Sequence, residues 1–167
     1  MRSCETPSRT EPVTAMSRAF VKEAEDKVEE LPDRPISGHR NLVTPEGLTA
    51  IEAALARFEE VHREAITMND AHAAAAAMRE VRYWRARRVS AEVVRPPMKA
   101  DTASFGTTVT LRRDDGREQT FRIVEEDEAD PSRGTVSYVS PLARAVSCGP
   151  GDTVEIAGGG AEILDVR

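Results

Sequence analysis

The sequence contains few of the residues on which several protein classes depend. Its only cysteines, Cys4 and Cys148, lie far apart with no Cys-x-x-Cys pair, which excludes a disulfide framework and a structural zinc site. No apolar run approaches the roughly 20 residues of a membrane-spanning helix. The first residues also lack the charged-then-apolar order of a signal peptide. We therefore expect a soluble, cytoplasmic protein that contacts no membrane.

The charge balance argues against binding nucleic acid through a dominant basic surface. The chain carries 23 Lys and Arg against 29 Asp and Glu, a formal net charge of -6, whereas domains that bind phosphate backbones are usually basic. The expected partner is therefore another protein.

Residues 1–40 differ in composition from the rest of the chain. They carry 7 basic and 8 acidic residues and almost no periodic apolar pattern, so they cannot bury enough surface to offset the entropy of ordering the chain. We predict a mostly disordered arm. Met16 is an alternative start, in which case the residues before it would be an upstream extension.

Residues 41–97 have the pattern of two helices. Thr44 followed by Pro45 and an acid is typical of a helix start, and Asn69 and Asp70 interrupt the pattern as turn formers. The apolar residues of the first helix share one face: Leu48, Ile51, Leu55, Phe58 and Ala65. Those of the second are Ala74, Ala77, Val81 and Trp84. The pattern predicts an antiparallel coiled-coil hairpin that ends near Arg95, and a monomer, because such a hairpin is self-contained.

The two predicted helices differ in charge. The first is rich in glutamate and the second in arginine. One interpretation is a solvated surface with ion pairs between the helices; the other is a basic stripe that faces an acidic or nucleic-acid surface. Arg88 is predicted to lie on the seam between the helices, where its side chain would extend toward a carboxylate.

Residues 101–167 change to the short, β-branched runs of strands. The predicted strands are Thr107–Leu111, Gln119–Val124, Thr135–Val139, Val154–Ala157 and Ala161–Val166. Ser140 and Pro141 predict the start of one short helix between the third and fourth strands. We expect a small antiparallel β domain with one helix, and an α+β fold for the whole chain.

Several ordered strings resemble the GreA/GreB family of bacterial transcription factors. Residues 42–47 resemble the start of that family's hairpin, and residues 105–110 the entry to its C-terminal domain. Residues 121–130 (FRIVEEDEAD) and 140–145 (SPLARA) are similar to two further motifs, as is the Gly151-Asp152 turn. Glu125 stands where the family usually has glycine. The resemblance covers about residues 41–167.

The resemblance implies a coiled-coil hairpin followed by an FKBP-like domain that docks on bacterial RNA polymerase at its secondary channel. Nucleic acid would be contacted only indirectly, within the transcription complex. The residues carried over as the docking surface are Asp127, Glu128, Ala129, Asp130, Ser140, Pro141, Ala143 and Arg144. Alternatively, Ser140 and Pro141 only start the helix, Arg144 pairs with the acidic loop, and that loop is only solvated.

The hairpin tip departs from the family pattern. Cleavage factors of the family carry a pair of carboxylates there that help to hold Mg²⁺, and one carboxylate seldom fixes this ion. Here roughly 18–20 residues of the family's hairpin are missing around residues 67–71, about 14 Å of reach. The tip residues are Asn69 and Asp70, and Asp70 is predicted to cap the second helix rather than bind metal.

The resemblance, taken together with this departure at the tip, therefore implies a non-enzymatic accessory factor that regulates elongation and needs no metal or other cofactor. One alternative is a factor that stimulates transcript cleavage and rescues backtracked polymerase. Another is an FKBP-type peptidyl-prolyl isomerase, although residues 101–167 offer only Phe105, Phe121 and Tyr138 to line an aromatic pocket.

Overall fold

The computed structural model describes residues 31–97, 99–156 and 158–167. It contains both helices and sheets, so the fold is of the predicted α+β class. Two long helices, α1 (Pro45–Thr67) and α2 (Ala71–Ser90), precede a five-stranded sheet. Among the described residues, no helix is long and apolar enough to cross a membrane.

Both long helices begin where local capping predicts. The Thr44 hydroxyl accepts a hydrogen bond from the backbone N–H of Gly47 at 2.8 Å, and the Asp70 carboxylate accepts one from Ala73 at 2.9 Å. Asn69 lies between the helices with φ of 55°, a left-handed conformation that asparagine tolerates. Because the connecting turn has only three residues, the packed helices run antiparallel.

The two helices bury small and branched apolar residues against each other. The buried ones are Ile51, Ala65, Ala74, Ala77 and Val81. Exposed ion pairs also join the helices, between Glu52 and Arg88 at 3.1 Å and between Glu59 and Arg85 at 3.0 Å. These are the pairs that the first interpretation of the charge pattern expects, and exposed pairs of this kind stabilise a fold by about 0–1 kcal/mol each.

The second helix is shorter than predicted. It ends at Ser90 rather than near Arg95, because the Asn41 side chain donates to the carbonyl of Arg87 at 2.6 Å and the chain then becomes extended. Two short parallel strands pair at this point, β1 (Leu42–Val43) and β2 (Glu92–Val93). Strand pairing thus replaces the last helical turn.

The C-terminal sheet has the order β5-β4-β3-β7-β6. Its strands are β3 (Thr108–Arg113), β4 (Glu118–Val124), β5 (Thr135–Ser137), β6 (Thr153–Ile156) and β7 (Gly159–Val166). The prediction of a wholly antiparallel sheet is wrong at one edge, because β5 pairs with β4 in parallel. Residues 125–134, which include a 3₁₀ turn at Pro131–Arg133, bring the chain back alongside β4, so that Thr135 pairs with Arg122 and the two strands run in the same direction.

The short helix α3 (Pro141–Ala145) packs on this sheet. Ser140 caps it by accepting from the backbone N–H of Ala143 at 3.1 Å, as the Ser-Pro pattern predicts. The side chain of Ala143 is 3% exposed and packs in the sheet core together with Val146. Ala143 therefore faces inward and cannot form part of an external surface through its side chain.

The predicted arm, residues 1–40, lies largely outside the described residues. Its last ten residues contain no helix or strand, yet they contact α2. Asp33 pairs with Arg82 and Arg34 pairs with Glu80, each at 2.6 Å. The Arg34 guanidinium also lies 3.6 Å from the centroid of the Tyr83 ring, so this part of the arm packs along the second helix.

Candidate functional site

The parallel pairing of β4 and β5 brings two predicted motifs to one edge of the sheet. Parallel strands end at the same edge, so the acidic loop that follows β4, residues 125–130, lies beside the segment that leads from β5 to α3. The first turn of α1 and the last turns of α2 meet the acidic loop at this edge, through contacts of Thr44 and Arg87. The edge is therefore the junction between the helix pair and the sheet.

A buried arginine of α2 occupies the centre of this junction. Arg87 is 2% exposed, and its guanidinium pairs with the carboxylate of Glu125, which is also 2% exposed. Its Nε atom donates to Oδ2 of Asp127 at 2.7 Å. A buried guanidinium requires such partners because removing its charge from water is costly. Asp127, one of the acids on which the docking prediction rests, therefore turns its side chain toward the helices.

Tyr83 of α2 completes this cluster. Its hydroxyl donates to Oδ1 of Asp127 at 2.6 Å. Burial, followed by the hydrogen bond and the negative charge of Asp127, raises the pKa of Tyr83 to about 12. The backbone N–H of Asp127 donates to Glu125 at 2.6 Å, which ties the two acids to each other.

Glu128 lies over the N-terminus of α1. Both of its carboxylate oxygens are 3.1 Å from the hydroxyl of Thr44, at the end of the helix where its dipole favours negative charge. A Cβ atom at Gly47 would come within 2.5 Å of Oε2 of Glu128. The absence of a side chain at Gly47 is thus what lets the carboxylate approach.

The remaining residues of the predicted docking surface have different surroundings. Ala129 is half-buried, and Asp130 caps the 3₁₀ turn by accepting from the backbone N–H of Ser132 at 3.0 Å. Asp130 also accepts from the hydroxyl of Ser132 at 2.6 Å, a bond that lowers the pKa of Asp130. Pro141 and Arg144 are exposed on α3. Within the described residues the Arg144 side chain has no hydrogen bond or ion pair, so it does not pair with the acidic loop.

The hairpin tip exposes apolar side chains. Met68 is 78% exposed and Ile66 is 61% exposed. In residues 66–72 the one carboxylate is Asp70, and it accepts from the backbone of Ala73 as the helix cap. No group of three or more potential metal ligands occurs in the parts of the chain that the structure describes.

The sequence did not single out Arg87, the arginine at the junction. Arg88 was expected on the seam with its side chain extended toward a carboxylate. It does pair with a carboxylate, that of Glu52, but it is exposed, while its neighbour Arg87 is buried. The available signal was Glu125, an acid in a string where the family usually has glycine. A buried acid requires a buried cation, and α2 supplies the nearest candidates.

Comparison with known proteins shows the family of the chain. The C-terminal region, residues 98–167, matches the family described as "Transcription elongation factor, GreA/GreB, C-term". The transcription elongation factor GreB of Pseudomonas aeruginosa is 33% identical over 124 residues, which cover 63% of this chain and 74% of that protein. The chain belongs to the GreA/GreB family.

Other relatives match this GreA/GreB-family protein over a shorter region. GreB of Neisseria meningitidis serogroup B is 46% identical over 70 residues, which cover 41% of this chain and 43% of that protein. The chain thus spans less than half of that relative's length. The solved structure of a GreA/GreB factor from Nitrosomonas europaea is similar with 19% identity and a TM-score of 0.37, over 75% of this chain and 96% of that one.

Proposed function

We propose that this protein binds bacterial RNA polymerase at the secondary channel and regulates elongation without stimulating transcript cleavage. In this proposal, residues 41–97 form a coiled-coil hairpin that enters the channel, and residues 101–167 form an FKBP-like domain that docks outside it. Family membership supports the choice of partner. The factor is not itself an enzyme and acts in the cytoplasm by occupying the channel.

The observation that carries the proposal is that the tip has a single carboxylate, which already caps a helix. Two-metal cleavage needs an ion held by several oxygen ligands opposite the attacking water. Asp70 is the one acid in residues 66–72, and its carboxylate already accepts a hydrogen bond from Ala73 at 2.9 Å. The exposed Met68 and Ile66 beside it are not Mg²⁺ ligands. Such a tip can occupy space in the channel but lacks a pair of carboxylates to hold the ion.

The proposed docking surface lies at the sheet edge that carries the acidic loop and α3. Pro141 and Arg144 are exposed, and Ala129 and Asp130 are half-buried, so a partner can reach them. Arg144 supports this assignment most directly, because no carboxylate of the described residues neutralises it. Ser140 contributes by capping α3 and thereby orienting the helix.

The second candidate function is stimulation of cleavage in a backtracked complex. Asp70 favours it only if polymerase groups supply the other ligands. The isomerase alternative has less support, since Phe105 and Tyr138 pack edge to face on each other at 5.9 Å and Phe121 is 6% exposed. These three aromatics therefore do not line an open apolar pocket.

A titration of a defined backtracked elongation complex with this protein in Mg²⁺ tests the proposal. Binding and transcript shortening are followed together, with Asp70→Asn as the matched variant because asparagine also caps helices. We expect binding without shortening, and the same effect on elongation from both proteins. Shortening that is lost in Asp70→Asn would support the cleavage alternative instead, and absence of binding would refute the proposed partner.

A further inference from the structure

Four side chains at the junction form a cluster of hydrogen bonds and ion pairs, which we call the clasp: Tyr83, Arg87, Glu125 and Asp127. Its guanidinium uses two different nitrogens on two different carboxylates, and one of those carboxylates also accepts from a tyrosine. The donors of a guanidinium lie in a fixed plane, so pairing with two carboxylates fixes the relative geometry of the three side chains as well as providing attraction. The clasp joins one face of α2 to the loop that follows β4, in other words the helix pair to the sheet.

Several other connections cross the junction and restrict the angle less, among them an exposed hydrogen bond from the Tyr138 hydroxyl to the carbonyl of Arg40. The covalent link from β2 to β3 contains no helix or strand among its described residues and includes Pro96 and Pro97. The ion pair between Glu46 and Arg122 at 3.2 Å is exposed, with 67% and 32% of the two side chains accessible, so it contributes little. The Thr44 contact with Glu128 is a single hydroxyl shared between two oxygens.

We propose that the clasp sets and holds the angle of the helix pair on the sheet, so that Arg87, Glu125 and Asp127 are positioning residues for the hairpin. This inference rests on the proposed function, because the angle determines where the tip lies once the sheet domain has docked. It also reassigns Asp127 from the docking surface to the clasp. Docking then depends on the outward residues of the same edge, above all Pro141 and Arg144.

The clasp can hold the angle between the helix pair and the sheet because a change of that angle would cost free energy. A buried ion pair adds little net stability because both charges lose hydration, but its partners must stay in register or leave an uncompensated charge. Arg87 and Glu125 are each 2% exposed, so a rotation of the helix pair that separated them would take away from each charge its buried partner. Apolar side chains of similar volume can preserve the packing, but they cannot impose the same direction.

The distance between the tip and the sheet, measured on the free protein, tests whether the clasp holds the angle of the helix pair. Spin labels at Met68→Cys on the tip and Thr153→Cys on the sheet edge, in a background with Cys4 and Cys148 replaced by serine, report the tip-to-sheet distance distribution by double electron–electron resonance. Both labelled positions are exposed. We expect one narrow distribution for the parent protein.

The decisive variant replaces the ionic cluster by uncharged groups: Arg87→Met, Glu125→Leu and Asp127→Asn together. We expect it to fold by circular dichroism and to show a distance distribution about twice as broad or shifted, because apolar packing lacks direction. Glu46→Gln, which removes the exposed pair across the same junction, is the control and should leave the distribution unchanged. An unchanged distribution in the folded triple variant overturns the proposal. If that variant does not fold, the same criterion applies to Glu125→Gln.

A polymerase experiment separates positioning from docking. We expect the triple variant to keep its affinity for the polymerase within about threefold while its effect on elongation falls about tenfold or more, the pattern of a lost positioning group. A lower affinity with an unchanged distance distribution would mean that Asp127 contacts the partner, and would overturn the assignment. Because the distances are measured on the free protein, they test whether the clasp holds the angle of the helix pair even if the parent protein binds no polymerase.

Discussion

The hydroxyl of Tyr83 donates to Oδ1 of Asp127 at 2.6 Å, and this bond links the ionisation of a helix residue to the junction with the sheet. Burial of the ring, followed by this contact, raises the pKa of Tyr83 from 10.0 to about 12. The folded state therefore retains the phenol proton more strongly than the unfolded state does.

A loss of stability at alkaline pH follows from this shift. Because the folded pKa lies above the unfolded one, the stabilisation is fully present below pH 10.0 and is lost as the pH rises toward about 12. Tyr83→Phe should remove this component of the pH dependence. Urea unfolding between these pH values measures it, and tyrosinate absorbance assigns it, since Tyr138 is the one other tyrosine in the chain. Equal pH slopes for parent and variant would contradict the prediction.

Gly47 and Glu128 are expected to be energetically coupled. Alanine in a helix is usually about 1 kcal/mol more stable than glycine, but a Cβ at position 47 would lie 2.5 Å from Oε2 of Glu128 and displace it from Thr44. Gly47→Ala should thus gain little or lose stability in the parent. In a Glu128→Ala background the same change should stabilise by up to about 1 kcal/mol. A double-mutant cycle in urea checks this, and additive effects would show that the carboxylate does not limit residue 47.

The sequence was sufficient to predict features that depend on a few adjacent residues. Thr44 and Asp70 cap α1 and α2, and Ser140 caps α3, because a cap needs only a short side chain and the next turn of helix. The strand runs were also recognisable from their period. The end of α2 was not, since it depends on Asn41, which reaches the Arg87 carbonyl from 46 residues away in the chain.

The candidate site was less predictable for the same reason. The string from Glu125 to Asp130 suggested one acidic surface, but its side chains have separate roles that tertiary contacts determine. Asp127 faces Arg87, Glu128 faces Thr44, and Asp130 caps its own turn. The parallel pairing of β5, which brings α3 beside this loop, also involves residues that no local pattern joins.

Arg34 is expected to hold the end of the arm on α2 and to shield the single tryptophan. Its guanidinium lies 3.6 Å from the centroid of Tyr83 and 5.6 Å from that of Trp84, and it pairs with Glu80. Arg34→Ala should cost about 1 kcal/mol and shift Trp84 fluorescence to the red as water reaches the ring. Asp33→Ala, which removes only the pair with Arg82, is the control. Identical emission spectra for the parent and Arg34→Ala would contradict the packing.

Two neighbouring residues of α3 should separate docking from stability. Arg144 is exposed and unpaired within the described residues, so Arg144→Ala should leave the unfolding free energy within about 0.5 kcal/mol of the parent. It should nevertheless weaken polymerase binding about tenfold if the side chain meets a partner carboxylate. Ala143 lies in the sheet core at 3% exposure, and Ala143→Leu should destabilise the fold by about 1–3 kcal/mol through overpacking.

Urea unfolding and a polymerase binding titration, run on both variants, distinguish these outcomes. Arg144→Ala with unchanged affinity would remove α3 from the docking surface. A stable Ala143→Leu would contradict the inward orientation of that helix face, since a leucine fits without cost only if it points to solvent. The opposite responses of adjacent residues follow from the helical period, because a step of one residue turns a side chain by about 100°, from the sheet core to the outside.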